Sequence, residues 1–230
     1  MNEKLHELSV RIGHSFANES LLEVAVIHRS WISENEGYES NERLEFLGDA
    51  VLGWIVADIV YKRHADLAEG KLTDLRKSVV NATALAQVAD DLDVGECLLL
   101  GRGEAAAGGN HKTSILSDAL EAIIGAVYLD AGAVVAYEVV AALMSASIDD
   151  AVENIDRLDA KTRLQEMTAR LFDAAPYYRL TDSGPDHDKT FVAVVVVNNR
   201  ELGTGEGRSK KAAEQVAAEI ACDTLDSEHK

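Results

Sequence analysis

Both prolines of this 230-residue chain, Pro176 and Pro185, lie in its last third. Proline ends or kinks helices, so everything before Pro176 is free of the strongest helix breaker. That stretch is rich in apolar residues at helical spacing. Leu21, Leu22, Ala25 and Val26 recur at helix intervals ahead of His28-Arg29-Ser30, and residues 33–40 (SENEGYES) read as a polar loop. A helix is expected from about Asn41 to Arg63, with Ser40 or Asn41 as its cap, and another from about Leu72 to Leu92. Residues 101–112 (GRGEAAAGGNHK) are glycine-rich and are expected to be flexible. Ser114 reads as the cap of a helix ending near Gly132, and a further helix covers about 134–148. The expectation for residues 1–149 is an all-α domain.

The pattern then changes. Residues 150–159 are charged and weakly periodic, which suits a linker. In 160–228 a helix (161–173) precedes strands at Tyr177–Thr181, Phe191–Val197 and Glu201–Glu206. The β-branched run Val194–Val197 marks the second strand, and SGPDHDK before it carries turn chemistry. An alanine-rich helix, 208–225, closes the chain. The order α-β-β-β-α describes a small α+β domain.

Composition narrows the classes. Apolar residues make up 47% of the chain, enough for a packed core. No uninterrupted apolar run reaches the roughly 18 residues that a membrane span needs, and the amphipathic start lacks signal-peptide features. No membrane partner is therefore expected. Two cysteines, Cys97 and Cys222, are too few for a disulfide framework, so a reducing cytoplasmic setting is expected. The net charge of −18 argues against long-range attraction of nucleic acid. It is uneven, however. Residues 1–150 hold 11 Lys+Arg against 25 Asp+Glu, and residues 151–230 hold 11 against 15, so any nucleic-acid grip should come from the second part.

Two acid-bearing segments stand out. NERLEFLGDAVLG (41–53) sets Glu42, Glu45 and Asp49 at spacings of three and four, along one helix face, with Leu44, Leu47, Val51 and Leu52 opposite. SILSDALEAIIGAVYLD places Asp118 and Glu121 three apart beside Ile115, Leu116, Leu120, Ile123, Ile124 and Val127. Like charges stacked at this spacing cost a few tenths of a kcal/mol per pair, which a hard divalent cation would offset. Helical spacing alone leaves two readings open, a solvated acidic face and a metal site.

NERLEFLGDAVL resembles the signature segment of the ribonuclease III family, and SILSDALEAIIGAVYLD resembles its second catalytic helix. KTRLQE, GPDHDKTF and GRSKKAAEQVAA resemble the double-stranded-RNA-binding domain that follows in bacterial members. The resemblance runs in order over nearly the whole chain. It implies a dimeric endonuclease acting on double-stranded RNA, with magnesium as cofactor and manganese as a possible substitute. Glu45, Asp118 and Glu121 match the metal ligands, and Asp49 and Glu121 the catalytic acids. Glu42 and Glu69 match accessory acidic positions. Phe46 fits a dimer-interface residue, although spacing alone equally allows packing within its own subunit. Implied products carry 5′-phosphate and 3′-hydroxyl ends with two-nucleotide 3′ overhangs. Implied substrates are ribosomal RNA precursors and other structured transcripts, messenger and transfer RNA among them. The alternative is a dimer that binds double-stranded RNA without cutting it.

Domains of the second type read duplex shape over about 16 base pairs and bridge phosphates between grooves. They need polar groups on one helix, a loop entering a minor groove and cations at a helix N-terminus. Gln165 and Glu166, His187 at the tip of GPDHDK, and Arg208, Lys210 and Lys211 meet those needs. By resemblance Gln165, His187, Lys210 and Lys211 are the expected RNA contacts, and Ser209 could add a phosphate hydrogen bond.

Overall fold

The structure, a computed structural model, describes residues 3–153, 160–184 and 189–228. It divides into two compact units, Met1–Val152 and Glu153–Lys230.

The first unit is helical, as expected. Its helices are α1 (Glu3–Ile12), α2 (Glu19–Ala25), α3 (Arg29–Ile32), α4 (Glu42–Arg63), α5 (Glu69–Val79), α6 (Ala82–Asp91), α7 (Arg102–Ala106) and α8 (Thr113–Glu153). The core contains the apolar sets read from the sequence. Leu22, Leu52, Leu120, Ile123 and Val127 are fully buried, while Leu47 is only half-buried. Asp130, on α8, accepts hydrogen bonds from the backbone N–H groups of Ala17 and Asn18. It also lies 2.8 Å from His14 Nε2, so one carboxylate fastens the α1–α2 connection to the longest helix.

Several boundaries differ from expectation, each for a local reason. Residues 72–92 do not form one helix. Asn81 ends α5 and caps α6, its Oδ1 accepting from Thr83 and Ala84 N–H at 3.1 Å. Asn41 does not cap α4 with its side chain; it is buried and donates instead to the Ala25 carbonyl at 3.2 Å. Ser40 donates to Glu42 at 2.8 Å. Ser114 falls inside α8, which begins at Thr113. That helix continues past Gly132, where φ is +81° and the axis breaks, and runs to Glu153. The first residues expected to be linker are therefore helical. α8 is long and apolar enough by length and composition to cross a membrane. On it Ile115, Leu116, Leu120, Ile123, Ile124, Val127, Met144 and Ile148 are buried in the core of this unit, while Leu129 and Val134 are exposed.

The second unit follows the expected order: α9 (Ala160–Phe172), β1 (Tyr177–Ser183), β2 (Thr190–Val197), β3 (Arg200–Gly207) and α10 (Lys210–Glu228). The sheet is antiparallel in the order β1-β2-β3. Asn198 and Asn199 both have positive φ, the two-residue turn that matches strand twist in a tight hairpin. Ala193, Val195 and Val197 point into a core shared with Leu164 and with Ala213, Ala217 and Ala221 of α10. The approach is close. A Cβ on Gly205 would lie 2.2 Å from the Ala217 nitrogen, and one on Gly203 2.4 Å from its oxygen. Bare strand backbone against alanine is what lets α10 lie on the sheet.

Candidate active site

Two crossing helices build the site. At the crossing of α4 and α8 each helix presents a glycine. A Cβ on Gly48 would stand 1.7 Å from the Glu121 carbonyl oxygen, and one on Gly125 2.4 Å from that of Leu44. The two backbones therefore touch, and the acids flanking Gly48 are brought against those preceding Gly125. A glycine inside a helix costs roughly 1 kcal/mol relative to alanine, so two of them in the acid-bearing helices are a signal the sequence carried. It was missed because close approach is visible only once the partner helix is in place.

The result is convergence. One carboxylate oxygen each of Glu45, Asp118 and Glu121 lies within 4.8 Å of the others, and all three side chains are half-buried. Burial pushes the Glu121 carboxyl up to about 7, with further contributions from Asp49, Asp118 and Glu45. Glu45 is raised by burial and by Asp118. Asp118 is raised by burial, against a hydrogen bond from Ser117 that favours its charged form. Desolvated carboxylates that repel one another suit an oxygen-only donor set for a hard divalent cation, which would relieve both costs. The residues present fit such an ion.

Asp49 is exposed on the next turn of α4, close enough to raise Glu121. Glu42 lines the same hollow as Glu45 and Asp118, a cavity of about 570 Å³, and is held by Arg29 at 3.6 Å. Glu69 does not join the cluster. It lies on α5 in a separate hollow with Tyr61, accepting a hydrogen bond from Thr73 at 2.9 Å. Phe46 is 81% exposed, so packing within its own subunit is excluded, and it borders an apolar hollow with Leu21, Leu47 and Leu129.

Sequence reasoning assigned no task to the 101–112 segment and expected flexibility. It folds instead into α7 and a short 3₁₀ turn, Gly109–His111. Ser30 Oγ accepts from Gly101 N–H at 2.9 Å, and Glu34 accepts from Arg102 N–H at 2.8 Å. An ion pair between Lys112 and Glu104 closes the segment, and both residues line the hollow above Asp118. His28 lines it too. Burial lowers its pKa, and its Nδ1 accepts from Ser30 N–H as the cap of α3.

In the second unit Gln165, Lys210 and Lys211 are exposed, as RNA contact requires. His187 lies outside the described residues. Ser209 Oγ is engaged at the start of α10, accepting from Ala212 N–H at 3.1 Å.

Comparison with known proteins gives a consistent result. The family description Ribonuclease-III-like matches residues 18–147, and Double-stranded RNA binding motif matches residues 160–225. The chain is 53% identical over 215 residues to Ribonuclease 3 of Mycolicibacterium paratuberculosis, covering 91% of each. It is 50% identical over 214 residues to Ribonuclease 3 of Streptomyces coelicolor, covering 93% of this chain and 77% of that one. Among solved structures it is similar to the nuclease domain of ribonuclease III from Campylobacter jejuni. There the TM-score is 0.59 and the identity 39%, over 64% of this chain and 97% of that one. A second structure of that domain, with TM-score 0.58 and 40% identity over 62% and 96%, is described for flexibility in a region involved in dimer formation.

Proposed function

This chain belongs to the ribonuclease III family and is an endoribonuclease; from that premise we propose that it hydrolyses double-stranded RNA with magnesium held by Glu45, Asp118 and Glu121. The observation that carries the reading is the convergence of those three carboxylates within 4.8 Å, in a chain that also holds a double-stranded-RNA-binding motif. When bound, the cation would act as a Lewis acid on the phosphoryl group and lower the pKa of water; manganese can substitute for magnesium in that role.

The protein's own groups do the rest. Glu45, Asp118 and Glu121 give up their elevated proton affinity to hold the ion. Asp49, exposed beside Glu121, accepts the proton lost by the attacking water. A bond forms between that oxygen and phosphorus as the bond to the 3′-oxygen breaks. The leaving oxygen takes a proton from solvent, giving 5′-phosphate and 3′-hydroxyl ends. Glu42, paired with Arg29, stands at the rim of the hollow as an accessory acid. The second unit supplies the grip, through Gln165, Lys210 and Lys211, with His187 as a further contact.

The exposed Phe46 beside an apolar hollow supports a two-fold homodimer. Two sites would then face one duplex, each cutting one strand, and leave two-nucleotide 3′ overhangs. Ribosomal RNA precursors and other structured transcripts are the proposed substrates. Two buried free thiols, Cys97 and Cys222, suit a cytoplasmic setting. A binding-only dimer would leave the crowded carboxylates with no task. Incubating long double-stranded RNA with the intact chain should give short duplexes only when magnesium is added. Glu121→Gln should slow this by about 10²–10⁴-fold, and undiminished turnover would sink the assignment. Light scattering of the same preparation reads the dimer.

A further inference from the structure

In the first unit nearly every cation is spoken for. Its eleven Lys and Arg residues stand among 25 acids. Lys4 pairs with Glu96, Arg11 with Glu7 and Asp93, Arg29 with Glu42 and Lys62 with Asp58. Arg63 pairs with Asp149, Arg102 with Glu34 and Lys112 with Glu104. Lys71 is also engaged. Among the described residues of this unit, Arg43, Arg76 and Lys77 have no ion pair. Arg76 and Lys77 are adjacent, exposed, and together line a hollow of about 450 Å³ between α4 and α5. Asp49 stands at its edge, and Trp54, 51% exposed, forms part of its wall.

An acidic protein that must admit a polyanion needs unneutralised positive charge next to its carboxylates. Its own acids leave that charge free at this hollow. The second unit shows the same signature. There Lys161, Arg163, Arg179 and Arg200 are paired with acids. Arg170, Arg208, Lys210 and Lys211 have no ion pair among the described residues, and Lys210 and Lys211 are the cations expected to contact RNA.

We propose that the hollow bounded by Trp54, Arg76 and Lys77 seats backbone phosphate of the RNA strand next to the bond being cut, Trp54 lying against ribose. Arg76 and Lys77 are then positioning residues, holding the strand so that its neighbouring phosphate meets the carboxylates. The bland alternative is that the pair merely complements the C-terminal dipole of α5. The proposal rests on the double-stranded-RNA reading above.

The experiment compares wild-type chain with the Arg76→Gln/Lys77→Gln double variant on one labelled RNA duplex, in magnesium, across a salt titration. Each lost phosphate contact should make the slope of log KM against log salt shallower by roughly 0.7–0.9, so the double variant should lose about 1.5 and raise KM about tenfold at low salt. The magnesium-dependent rise in melting temperature should be unchanged. Arg76→Lys should restore most of the slope. A pair serving only the helix dipole would shift melting and leave KM and the slope as they were, which overturns the proposal. If the double variant melts early, Lys77→Gln alone, at an exposed position, should still lose about 0.8 of the slope, and an unchanged slope again overturns it. A wild-type chain that neither binds nor cuts the duplex would bring down the RNA reading itself, and this inference with it.

Discussion

The two units solve the same packing problem and put the solution to different uses. In both, glycine lets one backbone approach another: Gly48 and Gly125 where α4 crosses α8, Gly203 and Gly205 where β3 meets α10. In the first unit the approach forces like charges together in a half-dry place, and Glu121 is driven up to about 7. In the second it builds a scaffold of alanine and valine, and the working groups stand outside it, exposed. Chemistry at phosphorus needs groups whose proton and metal affinity have been altered by desolvation. Recognition of a duplex by shape needs ordinary charges at fixed separation. One unit therefore carries electrostatic strain at its site and the other does not.

Substitution at the glycines should break the comparison most severely. Gly48→Ala sets a methyl group against the Glu121 backbone, which cannot yield as a side chain could. Separating α4 from α8 by even about 1 Å should cost at least about 100-fold in kcat. Gly53→Ala, five residues on, meets nothing within 4 Å and should leave the fold intact or more stable by roughly 0.5–1 kcal/mol. Steady-state cleavage assays read both, and equal behaviour of the two variants would refute the role given to the crossing. Gly205→Ala is the counterpart in the second unit. Overpacking there should cost about 1–3 kcal/mol and weaken duplex binding, while kcat at saturating RNA survives.

The strain itself can be titrated. The folded-state pKa of Glu121, about 7, lies above its ordinary value of 4.5, so between these values the folded chain holds a proton that the unfolded chain has lost. The contribution of this group to metal-free stability is complete below about pH 4.5 and is lost as pH rises through 7. Magnesium needs the deprotonated form, so it should raise the melting temperature more at about pH 8 than at about pH 5.5. Equal shifts in calorimetry at the two pH values would remove the electrostatic strain from the account. The smallest effect belongs to the unstrained unit. Lys211→Ala should weaken duplex binding a few-fold and reduce the salt slope by about 0.8, with no change in the magnesium response. Fluorescence anisotropy with labelled duplex reads it.

Much of this was legible in the residues. The β-branched run Val194–Val197, the turn chemistry before it and the alanine-rich stretch after residue 208 sufficed for the second unit. The acid spacings of α4 and α8 drew attention to five carboxylates, and the family resemblance singled out Glu45, Asp49, Asp118 and Glu121 among them. What was not legible depended on partners far away in sequence. Asn41 looked like a cap, but the Ala25 carbonyl claims its side chain. The 101–112 segment looked flexible because its glycines were read as freedom. Gly101 and Gly109 are instead close-packed, with a Cβ at Gly101 reaching 2.5 Å from the Ser30 oxygen.

Sequence by itself determined the helical and α+β classes and the order of elements, since these follow from local periodicity; the acids were singled out by resemblance to a family, with spacing leaving two readings open. Only the tertiary structure decided that Glu45 and Asp118, 73 positions apart, share one site with Glu121 while Glu69 does not. It also decided that Phe46 faces outward and that Arg76 and Lys77 remain unneutralised. Desolvation, repulsion and charge pairing depend on distance in space, and that distance is set where two helices touch through glycine.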